Sequence, residues 1–258
     1  MLPDDLATPL AAVRERRPDA RLEVRWHASL PSTMDVASAL AHDGAPHGVV
    51  IVADQQTSGR GRRGTTWASP AGAGLYLSFI ARPATASLGL PVITLAAGVA
   101  VLEGIQQATG LAAHLKWPND VIVGKRKLAG ILAEGIAIGS HDQAVVVGVG
   151  VNVLPAAYPP DVAARATSIE GELGRPIDRG VLLSEILIAV SDRLAALERR
   201  PGDILQAWRA ASPNAHGTRV EWDGKHGMTA GIDDSGALLV KTSGGVERII
   251  AGEVHWSL

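Results

Sequence analysis

The sequence has no cysteine, and this absence excludes several kinds of chemistry. Without a thiol among its 258 residues, the chain cannot form disulfides, cysteine-ligated zinc sites or a cysteine-bound acyl intermediate. The absence fits a reducing compartment, and we expect a cytoplasmic protein. The eight histidines show no spacing typical of metal ligands. Any acyl transfer by this chain must therefore proceed without an enzyme thioester.

Membrane and export signals are also missing. The longest apolar stretch, 88–102, is interrupted by glycine, proline and threonine and is shorter than the roughly 20 residues that span a bilayer. We expect it to form a buried helix. The chain starts Met-Leu-Pro-Asp-Asp, which is acidic where a secretory signal would be basic. We therefore expect neither export nor membrane attachment.

A third shortage concerns positive charge and aromatic residues. The formal net charge is −2, and the aromatic residues are six tryptophans, two tyrosines and one phenylalanine. Nucleic-acid binding usually needs a basic surface, and single strands also need stacking platforms. A nucleic-acid role would therefore have to rest on a local basic patch.

The pattern of apolar and turn residues predicts an α+β fold. Helical spacing predicts helices over 6–13, 33–42, 91–109, 181–197 and 204–211. Alternating or continuous apolar residues predict strands over 22–26, 49–53, 75–80, 114–117, 121–123, 128–138 and 144–151, with a turn at 139–142. These elements should form a mixed β-sheet backed by helices.

The chain changes character near Ala215. From Thr218 onwards, short alternating segments are broken by Asp-Gly, Asp-Ser-Gly and Gly-Gly turns, which is typical of a small antiparallel barrel. We therefore predict two domains, a larger one over residues 1–215 and a barrel over 216–258.

Three arginines alternate with glycines in the segment Gly59-Arg60-Gly61-Arg62-Arg63-Gly64-Thr65-Thr66-Trp67, here called the arginine loop. Glycine lets backbone N–H groups approach a ligand, and arginine adds a charged planar fork of donors, so the loop suits a phosphate. The Gly-x-Gly-x-x-Gly spacing does not indicate a dinucleotide fold, because no strand directly precedes it and no helix follows. A flexible, solvated basic loop is the alternative.

A second cluster, Lys116-Trp117-Pro118-Asn119-Asp120, follows a predicted strand. Lysine can neutralise phosphate, an asparagine amide can pair with a base edge, and aspartate can hold Mg²⁺. Because proline disfavours helix before it, we expect an extended segment whose Lys116, Pro118 and Asp120 face one way. The alternative is an ordinary strand end with polar capping residues.

Basic residues also lead directly into an apolar strand at Lys125-Arg126-Lys127-Leu128-Ala129-Gly130-Ile131-Leu132. A lysine at the mouth of a sheet could meet an anionic intermediate, although a surface run of charges is the commoner explanation.

Taken together, the arginine loop, Lys116–Asp120, Lys127–Ile131 and Gly148-Val-Gly-Val-Asn152 resemble the biotin protein ligases in order and interval. The resemblance covers roughly residues 32–258. It implies the mixed sheet of the class II synthetase-like biotin–lipoate ligase catalytic domain, with a C-terminal SH3-like barrel. It also implies an ATP-dependent ligase that forms biotinyl-5′-AMP from biotin and ATP with Mg²⁺, then transfers biotin to a lysine of a biotin carboxyl carrier protein.

The resemblance assigns roles to individual residues by motif. The implied biotin contacts are Ser32, Thr33, Gln56, Gly59, Arg60, Gly61, Arg62, Lys127 and Gly130. The implied contacts to ATP or the adenylate are Arg60, Arg62, Arg63, Trp67, Lys116, Asn119 and Asn152. Lys127, Lys116 and Arg62 would be catalytic through charge neutralisation, and Asp120 would be linked to Mg²⁺.

The chain departs from the family pattern at two positions. Met34 stands where many members have asparagine, and Thr65 where many have arginine. The first could alter one contact near biotin, and the second removes one positive charge from the loop.

Two other functions compete with this interpretation. A lipoate or octanoate protein ligase has related chemistry but is not expected to combine the arginine loop with Lys116–Asp120. A biotin-responsive repressor would need a DNA-binding domain, and about 25 residues before the first strand are too few for a winged helix. We therefore expect no DNA binding. The resemblance leaves a homodimer open.

Overall fold

A seven-stranded mixed sheet forms the centre of the protein in a computed structural model, which describes residues 3–20, 22–83, 89–139, 143–155, 162, 164–252 and 254–257. Its strands are β1 (Glu23–Leu30), β2 (Val49–Gln56), β3 (Gly74–Ala81), β4 (His114–Lys116), β5 (Asp120–Val123), β6 (Arg126–Ile136) and β7 (Ala144–Asn152). Their spatial order is β1-β2-β3-β7-β6-β5-β4. Only β1 and β2 pair in parallel within it. The predicted mixed sheet is confirmed.

In the described part of the chain, six helices accompany this sheet. They are α1 (Asp4–Arg16), α2 (Thr33–His42), α3 (Leu90–Thr109), α4 (Ile169–Leu173), α5 (Arg179–Arg199) and α6 (Pro201–Ala211). Helix α2 connects the parallel strands β1 and β2, because parallel neighbours cannot be joined by a tight hairpin. Ser32 starts it as the N-cap, its Oγ accepting a hydrogen bond from the N–H of Met34. Helices α3 and α5 pack against each other on the opposite face of the sheet.

Residues on β7 alternate between two separate cores. Val145, Val147, Val149 and Val151 join the large core under α1, α3, α5 and α6. On the other face, Ala144 and Val146 join a smaller core under α2, but the next two residues on that face are Gly148 and Gly150. At these two positions β7 contributes no side chain of its own to this face. We call this face of the sheet, on the side of α2, the site face.

Helix α3 was the apolar stretch expected to be buried. It is long and apolar enough to cross a membrane by length and composition, but two thirds of its most apolar window, 67%, is buried within the protein. It contributes to the large core from Val92 to Ile105. The predicted buried helix is confirmed.

A second sheet occupies the C-terminal part. Its strands are β8 (His216–Trp222), β9 (Lys225–Ile232), β10 (Leu238–Thr242), β11 (Gly245–Ile249) and β12 (His255–Trp256), all antiparallel in the order β11-β10-β9-β8-β12. The indole Nε1 of Trp117, in the β4–β5 turn, donates to the carbonyl oxygen of Gly236 at 3.0 Å. A buried hydrogen bond from the Lys116–Asp120 cluster thus joins the β4–β5 turn of the large sheet to the β9–β10 turn of the second sheet.

The structure differs from the predicted elements at several ends. Strand β1 reaches Leu30 and β2 reaches Gln56, both beyond their predicted ends, because their pairing continues along the whole length of β1. The short helix α4 was not predicted, and β6 ends at Ile136 rather than Ile138. The predicted turn at 139–142 lies outside the described residues except for Gly139.

Candidate active site

The floor of the site face is a pair of glycines on neighbouring strands. Gly130 on β6 pairs with Gly150 on β7, and the indole of Trp67 lies across both. A Cβ atom at Gly150 would lie 2.5 Å from the indole Nε1, and one at Gly130 would lie 2.9 Å from the indole Cζ3. Only glycine leaves room for the ring at these two positions, so the ring covers a floor made of backbone.

The arginine loop folds back on itself between β2 and β3. The N–H of Trp67 donates to the carbonyl of Gly59 at 2.9 Å, and the N–H of Gly61 donates to the carbonyl of Thr65 at 2.7 Å. A Cβ at Gly59 would lie 2.4 Å from the Trp67 carbonyl oxygen, so this glycine permits the close return of the chain. The loop is therefore a compact turn held by its own backbone hydrogen bonds, and most of its residues are exposed.

A chain of polar side chains connects the loop to the start of α2. The backbone N–H of Thr33 donates to Gln56 Oε1 at 2.8 Å, and Gln56 Nε2 donates to Ser69 Oγ at 2.8 Å. Ser78 Oγ donates to Thr33 Oγ1, also at 2.8 Å. Ser32, Thr33 and Ser78 are buried. The arrangement presents paired donors and acceptors to any polar ligand group that enters this end of the site face.

The Lys116–Asp120 segment is a hairpin turn, which corrects the extended strand predicted from the sequence. Lys116 ends β4 and pairs with Asp120 at the start of β5, and the Trp117–Pro118 peptide between them is cis. The expectation failed because the pairing of Lys116 with Asp120 joins two strands, and this pairing is not a local property of the segment. Lys116 and Asp120 still share a face, because directly paired residues of antiparallel strands project to the same side.

A bulge in β6 brings Lys127 to the site face. Val121 pairs with Ala129 and Ile122 with Lys127, so Leu128 has no partner on β5. Leu128 and Ala129 consequently both join the large core, and Lys127 projects to the same side as Gly130 and Asp120. Without the extra residue, strict alternation would separate Lys127 from Gly130.

Lys127 meets an anion and an aromatic ring at once. Its Nζ lies 2.6 Å from Asp120 Oδ1 and 5.3 Å from the centre of the Trp67 ring. Asp120 Oδ1 has no partner with hydrogen-bond geometry among the described residues, so its ion pair with Lys127 is close but poorly aligned. The buried Nε1 of Trp67 also has no hydrogen-bond partner among the described residues. Buried polar atoms without a hydrogen-bond partner are uncommon in folded proteins and mark these two groups as candidates for ligand contact.

Asn119 links the hairpin turn to the arginine loop. Its Oδ1 accepts from Arg62 Nη1 at 3.4 Å, and its Nδ2 donates to the carbonyl of Ile131 at 2.7 Å. The structure therefore gathers Arg62, Asn119, Asp120, Lys127 and Trp67 beside the glycine floor. A separate hollow of about 400 Å³ is lined by the chain from Thr57 to Thr66 apart from Arg62, and by Leu132 and Glu134 of β6.

Comparison with known proteins agrees with this geometry. Residues 26–152 match the biotin/lipoate A/B protein ligase family, and residues 223–255 match the biotin protein ligase C-terminal domain. The chain is 34% identical over 236 residues to the bifunctional ligase/repressor BirA of Bacillus subtilis, covering 89% of this chain and 73% of that protein. It is 36% identical over 215 residues to the biotin–[acetyl-CoA-carboxylase] ligase of Paracoccus denitrificans, covering 80% and 89%.

The chain belongs to the biotin protein ligase family. Among solved structures, the biotin protein ligase of Aquifex aeolicus in complex with biotin and ATP superimposes with a TM-score of 0.78 and 28% identity, covering 91% of this chain and 98% of that one. The family and the mixed sheet backed by helices are thus confirmed, together with a C-terminal domain of antiparallel strands, and the SH3-like form of that domain stays a prediction.

Most of the residues that the biotin protein ligase motifs singled out lie on the site face. Arg60 and Arg63 engage other groups. The Arg60 guanidinium contacts Asp35 and Glu134. Arg63, in a left-handed conformation with φ 53°, approaches Gly252 in the segment between β11 and β12. Their contacts with the adenylate stay predictions, as do the ligand contacts of the other site residues.

Asn152 stabilises the segment around Thr167 by a hydrogen bond. Its Nδ2 donates to the carbonyl of Thr167 at 3.0 Å. The segment around Thr167 runs beside Lys127, with the Thr167 N–H donating to the Lys127 carbonyl at 2.9 Å and the Lys127 N–H donating to Arg165 at 2.7 Å. Asn152 thus secures the backbone that carries Lys127, and its predicted place near adenine stays a prediction.

The sequence motifs missed several residues of the site. Ser69 and Ser78 complete the polar chain, Gly150 completes the floor, and Thr167 braces Lys127. Gly150 belongs to the Gly-Val-Gly-Val-Asn motif, and that motif was the available signal. The serines and Thr167 carry no local pattern that would distinguish them.

The two departures from the family pattern both have structural partners. Met34 is buried against Gly148, where a Cβ would lie 2.6 Å from its sulfur. Thr65 Oγ1 donates to the carbonyl of Arg62 at 2.8 Å. Met34 therefore supplies apolar packing between α2 and β7, and Thr65 closes the turn of the arginine loop by a hydrogen bond in place of a charge.

Proposed function

We propose that this chain activates biotin with ATP to biotinyl-5′-AMP, releasing pyrophosphate, and then transfers biotin to a lysine of a biotin carboxyl carrier domain. The observation that supports it most is the placement of Lys127. Its ammonium group stands on the site face between Asp120 and Trp67.

The adenylation step requires charge neutralisation above all. A carboxylate oxygen of biotin attacks the α-phosphorus, the bond to the bridging oxygen breaks, and pyrophosphate leaves with the electron pair. Two anions must meet, so fixed cations lower the barrier. Lys127 and Arg62 are placed to supply that charge, together with Lys116, which shares the face of Asp120.

The transfer step needs an uncharged acceptor amine. The amine attacks the carbonyl carbon of the anhydride, AMP leaves, and a proton is lost to solvent. No covalent enzyme intermediate is required. The compact arginine loop, which bounds the hollow of about 400 Å³, would exclude water from the anhydride until the acceptor arrives.

Asp120 fits a magnesium ion that arrives with ATP. Mg²⁺ usually binds through one or two carboxylates together with substrate phosphates and water. Among the described residues there is no group of three or more acidic or histidine ligands, which argues against a metal held by protein alone. The buried Asp120 Oδ1, whose contact in the structure is the ammonium group of Lys127 at 2.6 Å, would exchange that contact for the ion, which would supply further neutralisation of phosphate charge.

The proposal is tested by ATP–pyrophosphate exchange with biotin, lipoate and octanoate in separate reactions. All three acids are needed because the matched family contains ligases of both biotin and lipoate. We expect exchange with biotin and with neither of the other two acids, since the Paracoccus denitrificans and Aquifex aeolicus proteins named above are biotin ligases. Exchange with lipoate or octanoate would assign the chain to the other branch. No exchange with any of the three acids would overturn the proposed adenylation.

The acceptor and the setting of the enzyme form a second part of the proposal. We infer that the acceptor belongs to an acyl-CoA carboxylase, since two relatives are named biotin–[acetyl-CoA-carboxylase] ligases. We further propose a cytoplasmic enzyme without DNA-binding activity, able to form a homodimer, with its domains meeting at residue 215. Biotinylation of a purified carrier domain tests the acceptor, gel shift with promoter DNA tests the lack of DNA binding, and analytical ultracentrifugation tests the homodimer.

A further inference from the structure

Arg60 is held by two carboxylates from two different elements. Its Nη1 lies 3.0 Å from Asp35 Oδ1 in the first turn of α2, and its Nη2 forms a short ion pair with Glu134 Oε1 of β6. The side chain of Arg60 therefore links the arginine loop to both α2 and β6.

These contacts close the loop across the hollow. Arg60 and Glu134 both line it, together with Leu132 and the remaining residues from Thr57 to Thr66 apart from Arg62. Arg60 also forms a backbone bridge with Thr66 on the returning arm of the loop. An anchor at Arg60 thus restrains both arms, and Glu134 makes the contact on the far side of the opening.

The anchor matters because a glycine-rich loop loses much conformational freedom when it closes. A contact that already restrains the loop reduces that cost and favours the closed state. Both carboxylates are partly exposed, 53% for Asp35 and 31% for Glu134. Exposed pairs of this kind shift such equilibria by about fivefold at most for each pair, and less at high salt.

We propose that Asp35 and Glu134 are positioning residues that hold the arginine loop closed and so determine how long biotinyl-adenylate is retained. The inference rests on the proposed ligase function. An open loop lets the anhydride leave or admits water. The water oxygen attacks the acyl carbon, the bond from that carbon to the phosphate oxygen breaks, and biotin and AMP are released with loss of a proton to solvent. Neither residue would touch the reacting atoms, so adenylation itself should be little affected.

The test compares adenylate leakage with adenylation in Glu134→Gln, Asp35→Asn and the double variant. Leakage is steady AMP formation from ATP and biotin without any acceptor, and adenylation is biotin-dependent ATP–pyrophosphate exchange. We expect leakage to rise about threefold in Glu134→Gln and about fivefold in the double variant, with exchange changed less than twofold. Asp35 also favours the N-terminus of α2, so Glu134→Gln carries the main argument.

Salt and a matched variant separate this role from a general loss of charge. Raising the salt concentration should increase leakage in the unsubstituted enzyme and have little effect in the double variant. Glu247→Gln, which breaks the exposed Lys225–Glu247 pair in the C-terminal sheet, should leave leakage unchanged.

Equal leakage and equal salt dependence in the unsubstituted and double-variant enzymes would overturn the inference. A fall in exchange as large as the rise in leakage would also do so, since the two residues would then act on adenylation. Failure of the proposed function looks different, because the unsubstituted enzyme itself would show no exchange with biotin.

Discussion

The two faces of the seven-stranded sheet use the same strands for opposite purposes. On the helix-covered face, valines of β7 pack under α3 and α5. On the site face, the same strand presents Gly148 and Gly150, and the cover is a loop, an indole ring and the start of α2. The first arrangement maximises buried apolar area, whereas the second leaves backbone and charge accessible. Substitutions on the two faces should therefore damage different properties.

The largest effect is expected from Lys127→Ala on the site face. The substitution removes the ammonium group beside Asp120 and Trp67, and one lost charge contact to the reacting groups corresponds to about 2.7 kcal/mol, or roughly 100-fold in the adenylation rate. Biotin-dependent pyrophosphate exchange measures it. Unchanged turnover would remove Lys127 from the mechanism.

Gly150→Ala should impair activity by a steric route. The new Cβ would lie 2.5 Å from the Trp67 indole, so the ring must leave the glycine floor and lose its position beside Lys127. We expect exchange to fall by about tenfold, equivalent to roughly 1.4 kcal/mol, while the thermal midpoint changes little because the ring can move outwards. If the midpoint fell and activity per folded molecule stayed the same, Trp67 would be part of the core only.

Gly104→Ala is the corresponding change on the helix-covered face. A Cβ at Gly104 in α3 would lie 2.6 Å from the Cα of Ile186 in α5, and backbone cannot yield as a side chain can. Overpacking of this kind costs about 1–3 kcal/mol, partly offset by the better helix propensity of alanine, about 1 kcal/mol. Denaturant unfolding should show a net loss with activity per folded molecule retained.

The control for that substitution lies in the same helix. A Cβ at Gly98 would meet only Leu115 Cδ2 at 3.6 Å, an ordinary contact. Gly98→Ala should therefore be neutral or slightly stabilising. Equal destabilisation by both substitutions would show that the close approach of α3 and α5 is not the cause.

The comparison of the faces also shows what the sequence could predict. The mixed sheet, the buried helix and the motif residues were predictable, because apolar periodicity and short contiguous motifs are local signals. Lys127, Asp120 and Trp67 were each identified in this way. Their meeting at one point was not predicted, because it depends on the pairing of β5 with β6.

Two particular errors have the same non-local origin. The bulge at Leu128, which turns Lys127 to the site face, is visible only in the register with β5. The hairpin at Lys116–Asp120 was mistaken for an extended segment, because the pairing of Lys116 with Asp120 is likewise visible only in the register of β4 with β5. Ser69 and Ser78 were missed because isolated serines have no pattern.

The smallest predicted effect is a pH dependence of stability from His47, at the edge of the helix-covered face. Its ring packs edge-on against Phe79, its centroid 5.3 Å from that ring, and its Nδ1 accepts from the backbone N–H of Arg82 at 3.2 Å. Burial lowers the pKa of His47, although part of the residue is exposed and the charge of Glu198 opposes the shift. The neutral ring is therefore the form that fits the fold.

The sign of the effect follows from that direction. Since the folded pKa lies below the unfolded value of about 6.5, the unfolded chain binds more protons and stability rises with pH. The contribution is fully present above pH ~6.5 and is lost as the pH falls from there through the folded pKa. Thermal midpoints between pH 8 and 5 should decline less steeply in His47→Asn, whose amide oxygen can still accept from Arg82 without titrating. Identical slopes would mean that the other histidines and the carboxylates determine the acid sensitivity of this enzyme.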